Sequence, residues 1–232
     1  MKATVPIAAV VTLLACGGPP RLAPAAPEVR DEALARCLGV FPAPDFRAVH
    51  SIAAALPGGA TGVFLGVSAT SDGGRSFRGN LLSLEGMVLV DIEWSPEGLV
   101  VHRALPPLDG EGFAAGMAAD MRLLLLRPSG TPREVGEDGD GRVVCRWVRG
   151  DGAIQDVGVA VAGGEWTTTL WDARGVESRR VRGSGSARDG FASRMELTAS
   201  GENAYSLVLE LVEVEASGVG AGGVSGEPVA AP

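Results

Sequence analysis

Side chains able to do chemistry are few in this 232-residue sequence, and their spacing suits none of the common catalytic sites. Only His50 and His102 are present, without cysteine partners, so neither an HExxH pair nor a tetrahedral zinc set can be assembled. Glu137-Asp138-Gly139-Asp140-Gly141 carries acids as a calcium loop does, but lacks the long acidic alternation and the closing bidentate glutamate. It reads as a hairpin turn with solvated acids. Gly183-Ser184-Gly185-Ser186-Ala187 misses the G-x-S-x-G elbow that would expose a nucleophilic serine. Gly218, Gly220 and Gly223 match G-x-G-x-x-G, yet Val224-Ser225-Gly226-Glu227-Pro228 follows instead of a helix that could present its N-terminus to a pyrophosphate. Lys2 is the only lysine, so the body of the chain can form neither a Schiff base nor a P-loop lysine contact. The 28 acids single out no pair for glycoside chemistry. No enzyme class emerges, and no cofactor or metal is called for.

The cysteines are more informative. Lys2 is followed by an uncharged run from Ala3 to Ala15, a positive n-region and a short apolar h-region. Leu13-Leu14-Ala15-Cys16 at its end resembles the lipobox of bacterial lipoproteins, which implies cleavage of residues 1–15 and acylation of the Cys16 thiol. The run is too short to span a bilayer, which takes about 20 residues. Stable anchoring requires more than one acyl chain, and a triacylated cysteine supplies it. Gly17 and Gly18 are neutral where some bacteria read an acidic retention signal, which favours the outer membrane. Cys37 and Cys145 remain as an even pair in a compartment that permits disulfides. A bridge, worth up to roughly 4–5 kcal/mol for so long a loop, and two buried thiols are both open.

A net charge of −8 argues against nucleic acid, whose phosphates require Lys and Arg. The body is long enough for one domain with a sizeable core. Abundant Gly and Pro with few aromatics suit a turn-rich β protein. Residues 16–30, the modified cysteine and a Pro/Ala/Gly-rich stretch, read as an anchor and tether reaching roughly 45 Å when extended. The domain is expected over 31–215. Residues 216–232 have nothing to bury and should be disordered.

Within the domain, 31–36 suits a short helix. A second helix is predicted from Asp45 through Phe46, Val49 and Ile52 to Leu56, stopped by Pro57-Gly58-Gly59. Strands follow at 61–70, 76–84, 87–94 and 99–105. In the third, Val88, Val90, Ile92 and Trp94 alternate with Asp91 and Glu93. Residues 112–126 place Phe113, Met117, Met121 and Leu124 at helical spacing with Arg122 opposite, an amphipathic helix closed by Pro128-Ser129-Gly130. Strands resume at 142–149, 153–161, 165–172, 176–182, 191–200 and 204–214, and Tyr205, Leu207, Leu209 and Leu211 share a face. The expectation is an antiparallel meander of about ten strands. Its apolar face can pack on the 112–126 helix as permanent core, which periodicity favours, or leave a cavity.

Three stretches carry a family likeness: Ser83-Leu84-Glu85-Gly86 before the alternating strand, Leu105-Pro106-Pro107-Leu108 before the amphipathic helix, and Met195-Glu196-Leu197-Thr198 before the closing strand. With the order of elements over about 30–215, they resemble the LolA/LolB lipoprotein-localisation proteins and related bacterial outer-membrane lipoproteins. The resemblance implies a mainly β fold, an incomplete antiparallel barrel covered by helices, with a cavity for acyl chains. It implies that Leu84, on a turn between strands, assists delivery to a membrane. The Gly- and Arg-rich stretch 130–190 departs from the family's pattern.

The resulting expectation is a non-enzymatic, lipid-anchored, periplasm-facing protein of the outer membrane. Its cavity would take acyl chains of lipids or lipoproteins, received from a soluble LolA-like carrier. Candidate lining residues are Val90, Ile92, Trp94, Phe113, Met117, Met121, Trp147, Leu197 and Leu209. Each buried methylene contributes about 0.8 kcal/mol, so apolar area alone can hold a long chain. The alternative is a structural or assembly lipoprotein with a filled core.

Overall fold

Alternating apolar residues between Gly-rich turns fold this chain into a succession of hairpins. The structure, a computed structural model, describes residues 18–161, 163–186 and 190–216. The leader expected over 1–15, Cys16 and the tail beyond 216 lie outside them.

Among the described residues, thirteen strands make one sheet in which every neighbouring pair is antiparallel. They are β1 (Ala23–Pro24), β2 (Phe46–Ala55), β3 (Thr61–Ser71), β4 (Ser76–Leu82), β5 (Val88–Ser95), β6 (Gly98–Ala104) and β7 (Glu134–Glu137). β8 (Val143–Val148), β9 (Ile154–Val159), β10 (Glu165–Trp171), β11 (Glu177–Ser186), β12 (Ala192–Ala199) and β13 (Tyr205–Ala216) complete it. The spatial order is β1-β7-β8-β9-β10-β11-β12-β13-β2-β3-β4-β5-β6. Two meanders are thus zipped together by β13 and β2, from Ser206 opposite Ala55 to Ala216 opposite Phe46. The sheet does not close, because β1 and β6 are its edges. This is the expected incomplete barrel, with three strands more than expected.

The largest correction concerns β2, for which a helix over 45–56 was predicted. Phe46, Ala48 and His50 are buried on one face, with Arg47 exposed between the first two, so the period is two. The alanine-rich sequence has good helix propensity, but pairing on both sides with β3 and β13 overrides it. Asp45 is no helix cap. It has a positive φ of 62° and accepts the Gly73 N–H at 3.0 Å through Oδ1.

The tether is also shorter than expected. Arg146 donates to the Pro20 carbonyl at 2.9 Å, β1 pairs with β7, and the Ala25 N–H donates to the Val135 carbonyl at 2.9 Å. Backbone pairing at an open sheet edge needs no apolar period, which is why composition alone read this stretch as free. Helix α1 (Pro27–Leu38) follows, longer than the short helix expected at 31–36, with proline in its first turn. It buries Ala33 and Cys37 against β7, β8 and β9. Cys37 and Cys145 are joined by a disulfide with Cα atoms 6.2 Å apart.

Helix α2 (Phe113–Leu125) lies where the amphipathic pattern placed it and turns Ala118, Asp120, Leu123, Leu124 and Leu125 inward. Its C-terminal half joins Phe46, Trp166, Phe191, Met195, Leu197 and Leu209 in a core against the middle of the sheet. A further core of Phe77, Leu81, Val90, Ile92, Leu108 and Ala118 lies against β4 and β5. Gly79 makes the contact possible: a Cβ there would collide with the sulfur and terminal methyl of Met121, so the missing side chain lets the helix approach.

Candidate functional site

The N-terminal half of α2 packs less closely than its C-terminal half. Between the helix, from Phe113 to Leu125, and β2, β3, β4 and β13 lies a cavity of about 660 Å3, within the range of ligand sites. Phe113, Met117 and Met121 line it from the helix, with Gly116 between them. Ile52, Phe64, Leu81, Leu207 and Leu209 line it from the sheet, and Pro107 and Leu108 border it from the loop before α2. A Cβ on Gly116 would meet nothing within 4 Å, which marks open space beside the helix. Both methionines are unbranched and adaptable, suited to apolar ligands of variable shape.

The wall has one polar corner. Asp120, 6% exposed, accepts Arg179 Nε at 2.5 Å through Oδ1 and the Tyr205 hydroxyl through Oδ2. Burial lifts its carboxyl above the usual range, while the bonds to Tyr205 and Arg179 pull the other way. Burial, reinforced by the Asp120 charge, likewise raises the Tyr205 phenol. This cluster fastens α2 to β11 and β13. Each carboxylate oxygen thus has a hydrogen-bond partner from the sheet.

His50 lines the same cavity and is 3% exposed, with Nε2 lacking any hydrogen-bond partner among the described residues. Burial pushes its imidazole down to about 4. It is therefore neutral near pH 7, an apolar-like wall residue. Its exposed counterpart His102 sits 3.2 Å from Glu93 on the other side of the sheet's edge hairpin. Among the described residues no group of three or more potential metal ligands is found.

The structure divides the nine predicted lining residues. Phe113, Met117, Met121 and Leu209 border the cavity. Val90, Ile92 and Leu197 are 0% exposed and belong to solid core. Trp94 stacks on Phe77 at 5.7 Å between ring centroids, and Trp147 is buried beneath α1, donating its indole N–H to the Gly130 carbonyl at 3.2 Å. Alternation identified the inward face but could not tell which inward residues α2 covers directly. His50, Ile52 and Ala54 also line the cavity, and local pattern does not announce them because the alanine-rich β2 prefers helix. Leu84 protrudes from the β4–β5 turn, 61% exposed, with Met87 52% exposed beside it.

No family model matches the sequence, and no curated protein matches it. Among solved structures it is similar to a LolA superfamily protein from Nitrosomonas europaea, with a TM-score of 0.50 and 11% identity, covering 82% of this chain and 94% of that one. A DUF1329 family protein from Desulfovibrio piger matches over 82% of this chain and 92% of its own, at 10% identity and a TM-score of 0.31. Among the described residues the mainly β architecture, an open antiparallel sheet carrying two helices, is thus similar in fold to that LolA superfamily protein.

Proposed function

We propose that this protein is a non-enzymatic acceptor or carrier of acyl chains, anchored by lipid on Cys16 to the periplasmic side of the outer membrane. The observation that carries the reading is the apolar cavity beneath α2, walled by Phe113, Met117, Ile52, Phe64, Leu207 and Leu209. Ten methylenes transferred into such a space would contribute about 8 kcal/mol before the costs of ordering and association. Binding of this kind uses area and needs no covalent step. Its cargo would be a lipid or the acyl chains of a lipoprotein, handed over by a soluble LolA-like carrier.

The short N-terminal connection fits an acceptor at a surface. Four residue steps separate Cys16 from Pro20, the first fixed point, and they reach about 14 Å at full extension. An acylated Cys16 would therefore hold the body against the headgroups, where exposed Leu84 and Met87 can enter the interface. No helix among the described residues is long and apolar enough to cross a membrane.

The test is lipid extraction and mass spectrometry on the Cys16→Ser protein released in soluble form, followed by titration of a fluorescent fatty acid. Stoichiometric binding that Gly116→Phe abolishes is expected, because that side chain would enter the open space. Absence of both extracted and titratable lipid would overturn the reading in favour of a structural lipoprotein with no ligand.

A further inference from the structure

A second concavity, of about 710 Å3, lies at the C-terminal end of α2. The β3–β4 turn, the end of β5, the segment after α2 and the β8–β9 turn meet around it. β4 and β8 are eight steps apart in the strand order. At about 20–25° of twist per step the sheet rotates through roughly half a turn between them, bringing opposite strand ends together.

The charge in this cleft contrasts with the rest of the molecule. Arg75, Arg122, Arg127 and Arg149 line it, with Asp151 as the one acidic lining residue, in a chain of net charge −8. Arg75 is engaged with Asp72 at 2.8 Å and Arg149 lies 3.6 Å from Asp151. Arg122 and Arg127 form no ion pair among the described residues. Instead the Arg122 guanidinium is held over the Trp94 ring, 4.2 Å from its centroid.

The negative end of α2 offsets only about half an elementary charge. Burial and the nearby Arg149 charge both disfavour the Arg122 cation, with Asp151 opposing them weakly. Arginine keeps its proton in a protein, so an anion bound here would relieve the local potential. The guanidinium fork matches the oxygens of phosphate in bidentate fashion. The space far exceeds one phosphate, and Trp94, Trp147, Phe46 and Leu126 give it aromatic and apolar walls.

We propose that this cleft binds a phosphate group carried on an apolar body, with Arg122 and Arg127 holding the oxygens and Trp94 and Leu126 flanking the body. The site opens at the other end of α2 from Phe113 and Met117, with Leu125 bordering both spaces, and stands without the acyl reading. It distinguishes the two ends of α2: uncharged chains at the N-terminal half, an anionic headgroup at the C-terminal end.

The test uses inorganic phosphate, dihexanoylphosphatidic acid and dihexanoylphosphatidylcholine as probes, titrated calorimetrically into the Cys16→Ser protein with amide chemical shifts recorded alongside. The phosphatidic acid should bind at least tenfold more tightly than the phosphatidylcholine and shift the Arg122, Arg127 and Gly150 amides. Arg122→Gln should weaken it about tenfold or more, and Arg127→Gln, an exposed change safe for folding, should weaken it severalfold. Gly116→Phe should leave it unchanged while blocking fatty-acid uptake. Inorganic phosphate binding with the same arginine dependence and no gain from acyl chains would support the anion site and assign a free phosphate as its source. Equal binding of both lipids, or binding indifferent to both arginine variants, would overturn the proposal.

Discussion

His50 should make this protein lose stability between neutral and mildly acidic pH in a way that a single substitution removes. The imidazole is 3% exposed, its Nε2 has no partner, and burial pushes it from 6.5 to about 4. An unfolded chain regains the ordinary value and so binds a proton that the folded chain refuses. The contribution is therefore fully present above about pH 6.5 and is lost as pH falls toward 4. Proton linkage over that interval gives about 2 kcal/mol lost between pH 7.5 and pH 5, equivalent to roughly 4–8 °C in Tm for a domain of this size.

Urea unfolding at pH 7.5, 6 and 5 measures the slope, and His50→Leu, close in volume, is the comparison. At pH 7.5 the variant should be as stable as the parent or more so, because it removes a buried unpartnered nitrogen. At pH 5 it should exceed the parent by about 2 kcal/mol. Other groups cancel in the difference, including Asp120. Burial raises that carboxyl, so its own contribution runs the opposite way and declines as pH rises through the folded value. Parallel slopes for parent and variant, or an imidazole titrating near 6.5 by NMR in the folded state, would refute the reasoning.

The other buried features give sharper single-site outcomes. Arg146 and Asp156, 7% and 6% exposed, are joined by two bonds of 2.7 and 2.8 Å; Arg146→Met alone should cost about 3–5 kcal/mol in urea unfolding, and adding Asp156→Leu should recover most of it. Replacing both Cys37 and Cys145, 108 residues apart, by alanine should lower stability by up to about 4–5 kcal/mol and make it insensitive to reductant. Gly116→Ala should raise Tm by a few degrees, since the added methyl meets nothing within 4 Å and the helix gains about 1 kcal/mol. Hydrogen exchange should be faster at 113–117 than at 121–125, because Asp120 and Met121 pin only the later turns to the sheet.

What could be read from the sequence followed the strength of local patterning. Ten strands and α2 were legible because alternation, as in Val88 to Trp94, or helical spacing, as in Phe113 to Leu124, runs unbroken between glycine-rich turns. β1, β2 and β7 carry no such pattern. Ala23–Pro24 and Glu134–Glu137 are too short to show a period; β1 exists only because β7, distant in sequence, supplies its partner, and β7 is held between β1 and the adjacent β8. β2 is alanine-rich, so its local preference points to helix, and only the ladder to β13 makes it the seam of the sheet. The same non-local step explains the site. Inward-facing residues are recognisable by period, but whether they end as solid core, like Val90 and Leu197, or as cavity wall, like Leu209, depends on where α2 rests. That resting place is set by three contacts no pattern announces: Met121 over Gly79, and Asp120 with Arg179 and with Tyr205. A carboxylate on the otherwise apolar inward face of the helix is the available signal. Such a residue is tolerated only where the sheet beneath returns a cation and a hydroxyl, and it fixes the later turns of the helix while leaving space under the earlier ones.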